Sequence, residues 1–424
     1  MNKIIFRLLV LVILPAVIFN GCSSGNKPSV LVPGKPEDAG FSAERLDRID
    51  SVVNDYIRQE MIPGATAIIA RHGKIVYHKS YGYRDVAGGD LMAVDDIFRI
   101  ASMTKALTSV AVMMLYEEGC FLLDDPVSKY IPEFRNPQVL VKLNPDTTYV
   151  ARPAGKEITV RHLLTHTSGI GYPFIHAEIG PLYYKNGIPD GFVVTDEVLG
   201  DAIRILGKLP LLHEPGEKFT YGLNTDVLGY LVEVISGKTF DEFLRERLFE
   251  PLGMEDACFY LPEEKAGRLV PVYANTDAGI KLSDEPRYEY PLKGGRSYYS
   301  GGAGVSCTIL DYARFMQMMI SDGSYNGHQI LGRKTIDLMT TNQIAYLTDA
   351  DPFGLGFGLV TNKTKHQILC SAGNFSWGGY FSTSYWLDPQ EDLIGLFFCQ
   401  MSPAWYGDIH QKFQVLTYQA LVGE

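Results

Sequence analysis

Strand-like segments lie at both ends of this chain, and helix-like segments lie between them. Near the N-terminus, residues 66–70 and 74–78 alternate in polarity and are joined at His72–Gly73, a pattern that predicts a β-hairpin. Three further strand-like runs lie near the C-terminus, at residues 356–360, 382–387 and 393–399. We expect the two ends to pair in one antiparallel sheet that is flanked by helices, with an inserted, mainly helical lobe. The predicted fold class is therefore α+β.

Helical periodicity marks the middle and the end of the chain. The segments concerned are residues 104–118, 226–235, 239–248, 312–319 and 409–421. The 424 residues have a mass of 47.1 kDa, and a chain of this size buries roughly three quarters of the surface that it exposes when unfolded. Since no linker or repeat divides the chain after residue 40, residues 39–424 are predicted to form one unit with two lobes.

The first 38 residues have the composition of a targeting segment. Lys3 and Arg7 precede an apolar run, residues 8–19, which is too short to span a bilayer. Residues 1–21 are predicted to be a signal peptide, and residues 22–38 a tether that begins at Cys22. A signal ending in Gly-Cys resembles a bacterial lipoprotein signal, which implies lipidation of Cys22, anchoring to the cell envelope and a location facing the periplasm. The alternative is an ordinary cleaved secretory signal.

Charge and metal-binding residues exclude several classes of function. The formal net charge is −11 and becomes −13 without residues 1–21, so nucleic acid is not an expected partner. His162 and His166 have the four-residue spacing of zinc ligands on a helix, but the intervening glutamate of the H-E-x-x-H motif and a third ligand are missing. No metal or cofactor is predicted. The five cysteines beyond Cys22 lack the spacing of metal ligands, and we interpret them as buried free thiols.

Ser102 and Lys105 have the spacing of a serine nucleophile with a lysine partner. A strand-like run, residues 97–100, precedes Ser102, and a long apolar helix follows it. Lys105 is three residues further on and lies on the same helical face, within reach of the Ser102 hydroxyl. Taken alone the motif is weak, because serine is also a common helix N-cap.

Tyr221 is the second candidate for catalysis. It lies in the segment Phe-Thr-Tyr-Gly-Leu-Asn, residues 219–224, between a turn and a predicted helix. A phenolic oxygen at this position would act as a base or proton shuttle if a cation such as Lys105 stabilised its anion. The alternative is a core tyrosine with a satisfied hydroxyl.

These motifs and three others occur in an order that strongly resembles the serine β-lactamase and penicillin-binding-protein-like family. The three are residues 123–134, residues 158–169 with the string Leu-Leu-Thr-His-Thr-Ser-Gly, and residues 249–254. The resemblance covers roughly residues 39–420 and is greatest to class C β-lactamases and family VIII carboxylesterases. It implies that Ser102 is the acylated nucleophile, that Lys105 is its proton partner and that Tyr221 is the base. His166, Ser168 and Gly169 would hold a turn beneath the site.

The third motif of the family is best matched by Trp377, Gly378 and Gly379. The resemblance then implies an oxyanion hole formed by the backbone N–H groups of Ser102 and Tyr380. Ser371-Ala372-Gly373 is a competing match for this motif.

Two departures from the family pattern concern the substrate. Trp377 stands where β-lactam-directed members have a cationic or hydrogen-bonding side chain, and Leu223 replaces an asparagine that contacts a substrate amide, with Asn224 displaced by one residue. We expect these positions, with Gly378 and Gly379, to bind substrate and to favour a neutral or apolar ester. The aromatic-rich residues 172–192 either wall an acyl or alcohol pocket or pack as ordinary core.

Four functions remain compatible with the sequence. We favour an exported esterase that works through an acyl-enzyme. The alternatives are an acyltransferase with an alcohol or amine acceptor, a β-lactamase or D,D-peptidase, and a non-catalytic, lipid-anchored binding protein. The expected partners are a small-molecule ester or acyl donor and an apolar alcohol acceptor, with membrane contact through the lipid anchor only.

Overall fold

The computed structural model describes residues 30–423. The predicted signal peptide, Cys22 and the first part of the predicted tether lie outside the described residues. The strands are β1 Val32–Pro33, β2 Gly64–Arg71, β3 Lys74–Asp85, β4 Asp90–Leu91, β5 Ile97–Arg99, β6 Gln138–Leu143, β7 Tyr149–Pro153, β8 Tyr273–Thr276, β9 Gly279–Leu282, β10 Ser306–Thr308, β11 Ser324–Tyr325, β12 His328–Gln329, β13 Gly358–Leu359, β14 Phe375–Gly379, β15 Thr383–Asp388 and β16 Leu393–Phe398.

Most of the helices among residues 30–423 lie in the middle of the chain. The helices are α1 Ala43–Arg58, α2 Thr104–Glu117, α3 Val160–Leu164, α4 Gly180–Lys185, α5 Leu199–Leu206, α6 Asn224–Ser236, α7 Phe240–Leu244, α8 Glu250–Leu252, α9 Ile309–Ile320, α10 Arg333–Met339 and α11 Asp408–Ala420. No helix among residues 30–423 is both long enough and apolar enough to cross a bilayer.

The two ends of the chain form one sheet, as predicted. Its strand order is β1-β3-β2-β16-β15-β14-β13, with β4 paired to β3 at the edge. The hairpin β2–β3 comes from the N-terminal part, and its β2 pairs antiparallel with the C-terminal β16. The sheet is antiparallel, as predicted, except at one edge, where β1 pairs parallel with β3. The sheet is therefore mixed.

Helices cover both faces of this sheet, because alternate residues of each strand point to opposite sides. Ile68 and Ala70 of β2 belong to the larger apolar cluster, which also contains buried residues of α2, α6 and α9. Ala67 and Ile69 belong to a second cluster on the other face, together with residues of α1 and α11. Helix α2 is buried on every side over its first twelve residues. It therefore places its N-terminal turn inside the molecule, next to the helical lobe.

Two predicted boundaries need correction. The helix predicted over residues 239–248 ends at Leu244 and continues as a π-helical turn, Arg245–Phe249. The tether predicted to run to residue 38 is shorter, because the N–H of Val32 donates to the Gly73 carbonyl at 2.9 Å and the N–H of Gly34 to the Ile75 carbonyl at 3.0 Å. These bonds attach the chain to the sheet from residue 32 onward.

Candidate active site

Ser102 lies in a tight turn between β5 and α2. The chain leaves the strand at Arg99, and Ala101 has a φ of +42°, in the left-handed region that residues other than glycine seldom adopt. A single turn of 3-10 helix, Ala101–Met103, then leads directly into α2. Lys105 lies in the first turn of that helix, and its Nζ is 3.2 Å from the Ser102 Oγ. The predicted contact between the two side chains is present.

Lys105 is buried, with 2% of its side chain exposed, so its three N–H groups need partners inside the protein. One donates to Ser102 Oγ, a second to the hydroxyl of Tyr172 at 3.0 Å and the third to the carbonyl of Gly302 at 2.7 Å. Sequence reasoning missed Tyr172 and Gly302 as partners of the lysine. The one available signal for Tyr172 was its place three residues after the Thr-Ser-Gly string.

Tyr221 stands beside this lysine, but its ring rather than its hydroxyl faces the ammonium group. The Lys105 Nζ is 4.7 Å from the ring centroid. The ring packs against His166 and Tyr172, with centroid separations of 4.9 and 5.5 Å. Its hydroxyl accepts a hydrogen bond of 3.4 Å from Trp377 Nε1. The structure therefore brings all three predicted catalytic side chains to one place.

A buried carboxylate lies behind Lys105. Asp226, in the first turn of α6, accepts a hydrogen bond of 2.6 Å from Ser300 Oγ and is fully buried. Its Oδ2 has no hydrogen-bond partner among the described residues. Burial raises the pKa of Asp226, while Ser300 and the Lys105 charge act in the opposite direction. Sequence reasoning did not single out this residue.

Burial and nearby charges determine the protonation states of Tyr172 and His166, which lie close to Lys105. Burial, with the charge of Asp226 as a second cause, raises the pKa of Tyr172 well above its ordinary value. Burial and the Lys105 charge lower the pKa of His166 well below its ordinary value. At neutral pH Tyr172 is therefore a neutral phenol and His166 a neutral imidazole.

Strand β14 runs close to the turn that carries the serine. A Cβ atom at Gly379 would collide with the carbonyl oxygen of Ile100 and with Thr383 Oγ1. Only glycine therefore lets the end of β14 approach this closely. As a result Tyr380 and Ser102 line the same cavity, in which the resemblance places the oxyanion hole.

This active-site cavity has a volume of about 300 Å³ and largely apolar walls. Aromatic side chains from the segment that follows the Thr-Ser-Gly turn contribute to it, so that segment does wall the site. The lining residues are Ser102, Tyr172, Phe174, Ile175, Asp190, Phe192, Tyr221, Ala303, Trp377, Gly378, Gly379 and Tyr380. The one carboxylate among them, Asp190, forms an ion pair with Arg287.

Leu223 and Asn224 do not line this cavity, which corrects their predicted role in substrate binding. Leu223 is 1% exposed and packs in the apolar core. Asn224 is fully buried, and its side-chain amide bonds with Ser168 Oγ, with His166 Nδ1 at 3.0 Å and with the Ile170 carbonyl at 3.3 Å. Asn224 therefore holds the turn at residues 166–170 beneath Tyr221, because its polar groups are used within the protein.

The two histidines with zinc-like spacing have other contacts. His162 Nδ1 accepts from the N–H of Thr159 at the start of α3, and His166 packs edge-to-face against Phe219 and Phe353. In the described part of the chain, no three His, Cys, Asp or Glu side chains are grouped so that they could hold a metal ion. The cysteines there are free. Cys307 and Cys399 are buried as predicted, whereas Cys258 and Cys370 are partly exposed and Cys120 is exposed.

Comparison with known proteins identifies the family. The Beta-lactamase family model matches residues 49–417. Esterase EstB of Burkholderia gladioli is 30% identical over 366 residues, which are 82% of this chain and 88% of EstB. Monacolin J acid methylbutanoyltransferase of Aspergillus terreus is 28% identical over 400 residues, 86% of this chain and 93% of that enzyme.

A comparison with solved structures shows the same similarity at the level of the fold. EstCE1, described as a hydrolase with promiscuous acyltransferase activity, superimposes with a TM-score of 0.76 at 26% identity, over 88% of this chain and 99% of EstCE1. The fold is thus the one shared by β-lactamases and transpeptidases, and the relatives include proteins named as an esterase, a hydrolase and acyltransferases. The chain belongs to the beta-lactamase family.

Proposed function

We propose that this protein is a carboxylesterase that acts on esters with a short, uncharged acyl group through an acyl-enzyme at Ser102. The observation that carries the proposal is the 3.2 Å contact between Ser102 Oγ and Lys105 Nζ at the wall of an apolar cavity. Trp377 lines that cavity and contributes one neutral N–H donor. A cation that would bind a β-lactam carboxylate is absent from the lining residues, which favours ester over β-lactam turnover.

Acylation begins when Ser102 Oγ attacks the ester carbonyl and gives its proton to the phenolate oxygen of Tyr221, whose negative charge the Lys105 ammonium group stabilises. The backbone N–H groups of Ser102 and Tyr380 hold the oxyanion of the tetrahedral intermediate. The bond to the alcohol oxygen then breaks, and the alcohol leaves with the proton. Water repeats the sequence on the acyl-enzyme, which releases the acid and restores the serine hydroxyl.

Acyl transfer is the second candidate, and the relatives favour it. EstCE1 is described as having promiscuous acyltransferase activity, and a second relative is named a methylbutanoyltransferase. An alcohol in place of water at the second step would make the protein an acyltransferase. Adding benzyl alcohol to the assay and measuring benzyl butyrate by mass spectrometry distinguishes the two fates of the acyl group.

The test of the proposed function is a pre-steady-state time course with p-nitrophenyl butyrate on wild type and Ser102→Ala, with intact mass measured on quenched samples. We expect a burst and a butyryl adduct in the wild type and neither in Ser102→Ala. Equal hydrolysis by both proteins would remove Ser102 from the mechanism. Nitrocefin turnover faster than ester turnover would assign the protein to the β-lactam-directed members instead.

We also propose that the chain is exported and anchored to the cell envelope through a lipid on Cys22. Support comes from the basic residues Lys3 and Arg7, the apolar run at residues 8–19 and the Gly-Cys pair at residues 21–22. Metabolic labelling with an alkyne fatty acid should label the wild type and not Cys22→Ala. Labelling that survives this substitution would contradict the proposal.

A further inference from the structure

Trp377 contributes to the walls of two neighbouring cavities, the active-site cavity and a second, larger one. The second cavity has a volume of about 710 Å³, and Trp377 lines both. Its indole N–H points to the Tyr221 hydroxyl, inside the active site. Its six-membered ring lies against Gly358, where a Cβ would be 3.3 Å from the Cζ3 atom, and Gly358 lines the larger cavity. One side chain therefore touches both the catalytic tyrosine and the larger cavity.

The sizes of the two cavities suggest different occupants. The active-site cavity, at about 300 Å³, is at the lower limit of small-molecule sites, which span about 300–1,000 Å³. It suits an acyl group of a few carbons. The alcohol portion of an ester held at Ser102 needs separate space, and the larger cavity beyond Trp377 is directly adjacent.

The walls of the larger cavity have a distinct chemistry. Aromatic rings of Phe219, Tyr346, Phe353 and Trp377 line it, and Phe353 packs edge-to-face on Trp377 with a centroid separation of 5.4 Å. Three carboxylates, those of Glu217, Asp349 and Asp351, share the lining with a single cation, Lys218. Aromatic faces and carboxylates both attract a positive charge, and aromatic walls of this kind bind quaternary ammonium groups. An anionic group would meet net repulsion here.

We propose that the larger cavity binds the alcohol portion of the substrate and that this portion carries a positive charge, as in a choline ester. The inference rests on the proposed esterase function. In the reaction, Ser102 Oγ forms a bond to the acyl carbon and the bond from that carbon to the choline oxygen breaks. The serine proton passes to that oxygen, choline leaves, and water then releases the acid.

Butyrylcholine and 3,3-dimethylbutyl butyrate test the charge alone, because the two esters have the same shape and differ by a quaternary nitrogen in place of a carbon. We expect kcat/KM to be about tenfold higher for butyrylcholine in the wild type, from contacts with the rings and the carboxylates. A ratio of one or less would overturn the proposal.

Variants locate the effect in the larger cavity. In the double variant Asp349→Asn/Asp351→Asn the ratio of the two kcat/KM values should fall at least threefold, and in Tyr346→Ala it should fall further than in Tyr346→Phe. Asp277→Asn removes one negative charge from the exposed turn between β8 and β9, which lines neither cavity, and should leave the ratio unchanged. A preference for butyrylcholine that survives the double variant would place the charge recognition elsewhere and overturn the proposal.

Separate assays distinguish a failure of the proposed esterase function from a failure of the proposed binding in the larger cavity. Hydrolysis of p-nitrophenyl butyrate reports the esterase activity, whatever the larger cavity binds. Binding is measured by calorimetry on Ser102→Ala, which needs no turnover, with choline and with 3,3-dimethylbutanol as the neutral analogue. We expect choline to bind at least tenfold more tightly. Equal affinities, or no choline binding, would overturn the inference even if the esterase activity is present.

Discussion

The ammonium group of Lys105 donates a hydrogen bond of 3.0 Å to the hydroxyl of Tyr172. The same ammonium group meets Tyr221 through the face of its ring, at 4.7 Å from the centroid. The two phenols therefore contribute to the site in different ways. Tyr172 fixes the position of the lysine, while the hydroxyl of Tyr221, bonded to Trp377, lies in the cavity that Ser102 lines.

Replacing each phenol by phenylalanine separates the two roles. Tyr221→Phe should lower kcat/KM for p-nitrophenyl butyrate by about 10²–10⁴-fold, the usual loss when a proton-transfer group is removed. Tyr172→Phe should lower kcat/KM by about tenfold or less. Burial and the charge of Asp226 hold the pKa of Tyr172 well above neutral pH, so this phenol does not act as a base. The burst rate measures both effects. A larger loss in Tyr172→Phe than in Tyr221→Phe would reverse the assignment.

Asn224→Ala should destabilise the protein without altering substrate affinity. The substitution leaves buried partners such as His166 Nδ1 and the Ile170 carbonyl without this amide, at a cost of about 3 kcal/mol in the free energy of unfolding. Urea denaturation measures this loss, and KM is measured at a temperature where the variant stays folded. A raised KM with unchanged stability would restore the role in substrate binding that the sequence suggested.

Local spacing explains why the contact between Ser102 and Lys105 was predictable and the other contacts of the lysine were not. Ser102 and Lys105 are three residues apart on one helical turn, so their contact follows from the sequence. Tyr172 lies 67 residues from Lys105, and Asp226 reaches the site only through the packing of α6 against α2. No short-range pattern encodes such contacts.

Two other predictions were wrong, one because of the polarity of a side chain and one because a strand is very short. Asn224 has a side chain typical of ligand contacts, yet its bonds are all internal, since a buried turn also needs polar partners. The strand Val32–Pro33 has two residues and no alternation to detect, and only its bonds to β3 define it. In contrast, the long strands β2, β3 and β16 were predicted because their hydrophobic patterns are extended.

Gly379→Ala should disturb the proposed oxyanion hole. The added methyl group meets the carbonyl of Ile100 and Thr383 Oγ1, so β14 has to move away from the turn that carries Ser102. A displaced backbone donor costs about 10²-fold in kcat. Gly267→Ala is the control, because its methyl group would have no atom within 4 Å and Gly267 does not line the active-site cavity. Equal burst rates in the two variants would show that the approach of β14 does not limit acylation.

His410 should make the stability of the protein depend on pH. Its ring nitrogens bond with Ser382 Oγ at 2.9 Å and Ser384 Oγ at 2.7 Å, which ties α11 to the sheet next to β14. Burial lowers the pKa of His410 to about 4, whereas in the unfolded chain it is about 6.5. Between these values the unfolded chain binds a proton that the folded protein does not, so His410 lowers the stability as the pH falls from 6.5 to 4.

His410→Gln removes this titration while keeping a polar side chain. The free energy of unfolding should therefore fall less between pH 7 and pH 5 in the variant than in the wild type, by about 1–2 kcal/mol. Urea denaturation at the two pH values measures the difference. Comparing the two proteins isolates His410, because Asp311 and Glu233, whose pKa values burial raises to about 6, have the opposite effect in both. The same pH dependence in wild type and variant would mean that His410 remains open to protonation in the folded protein.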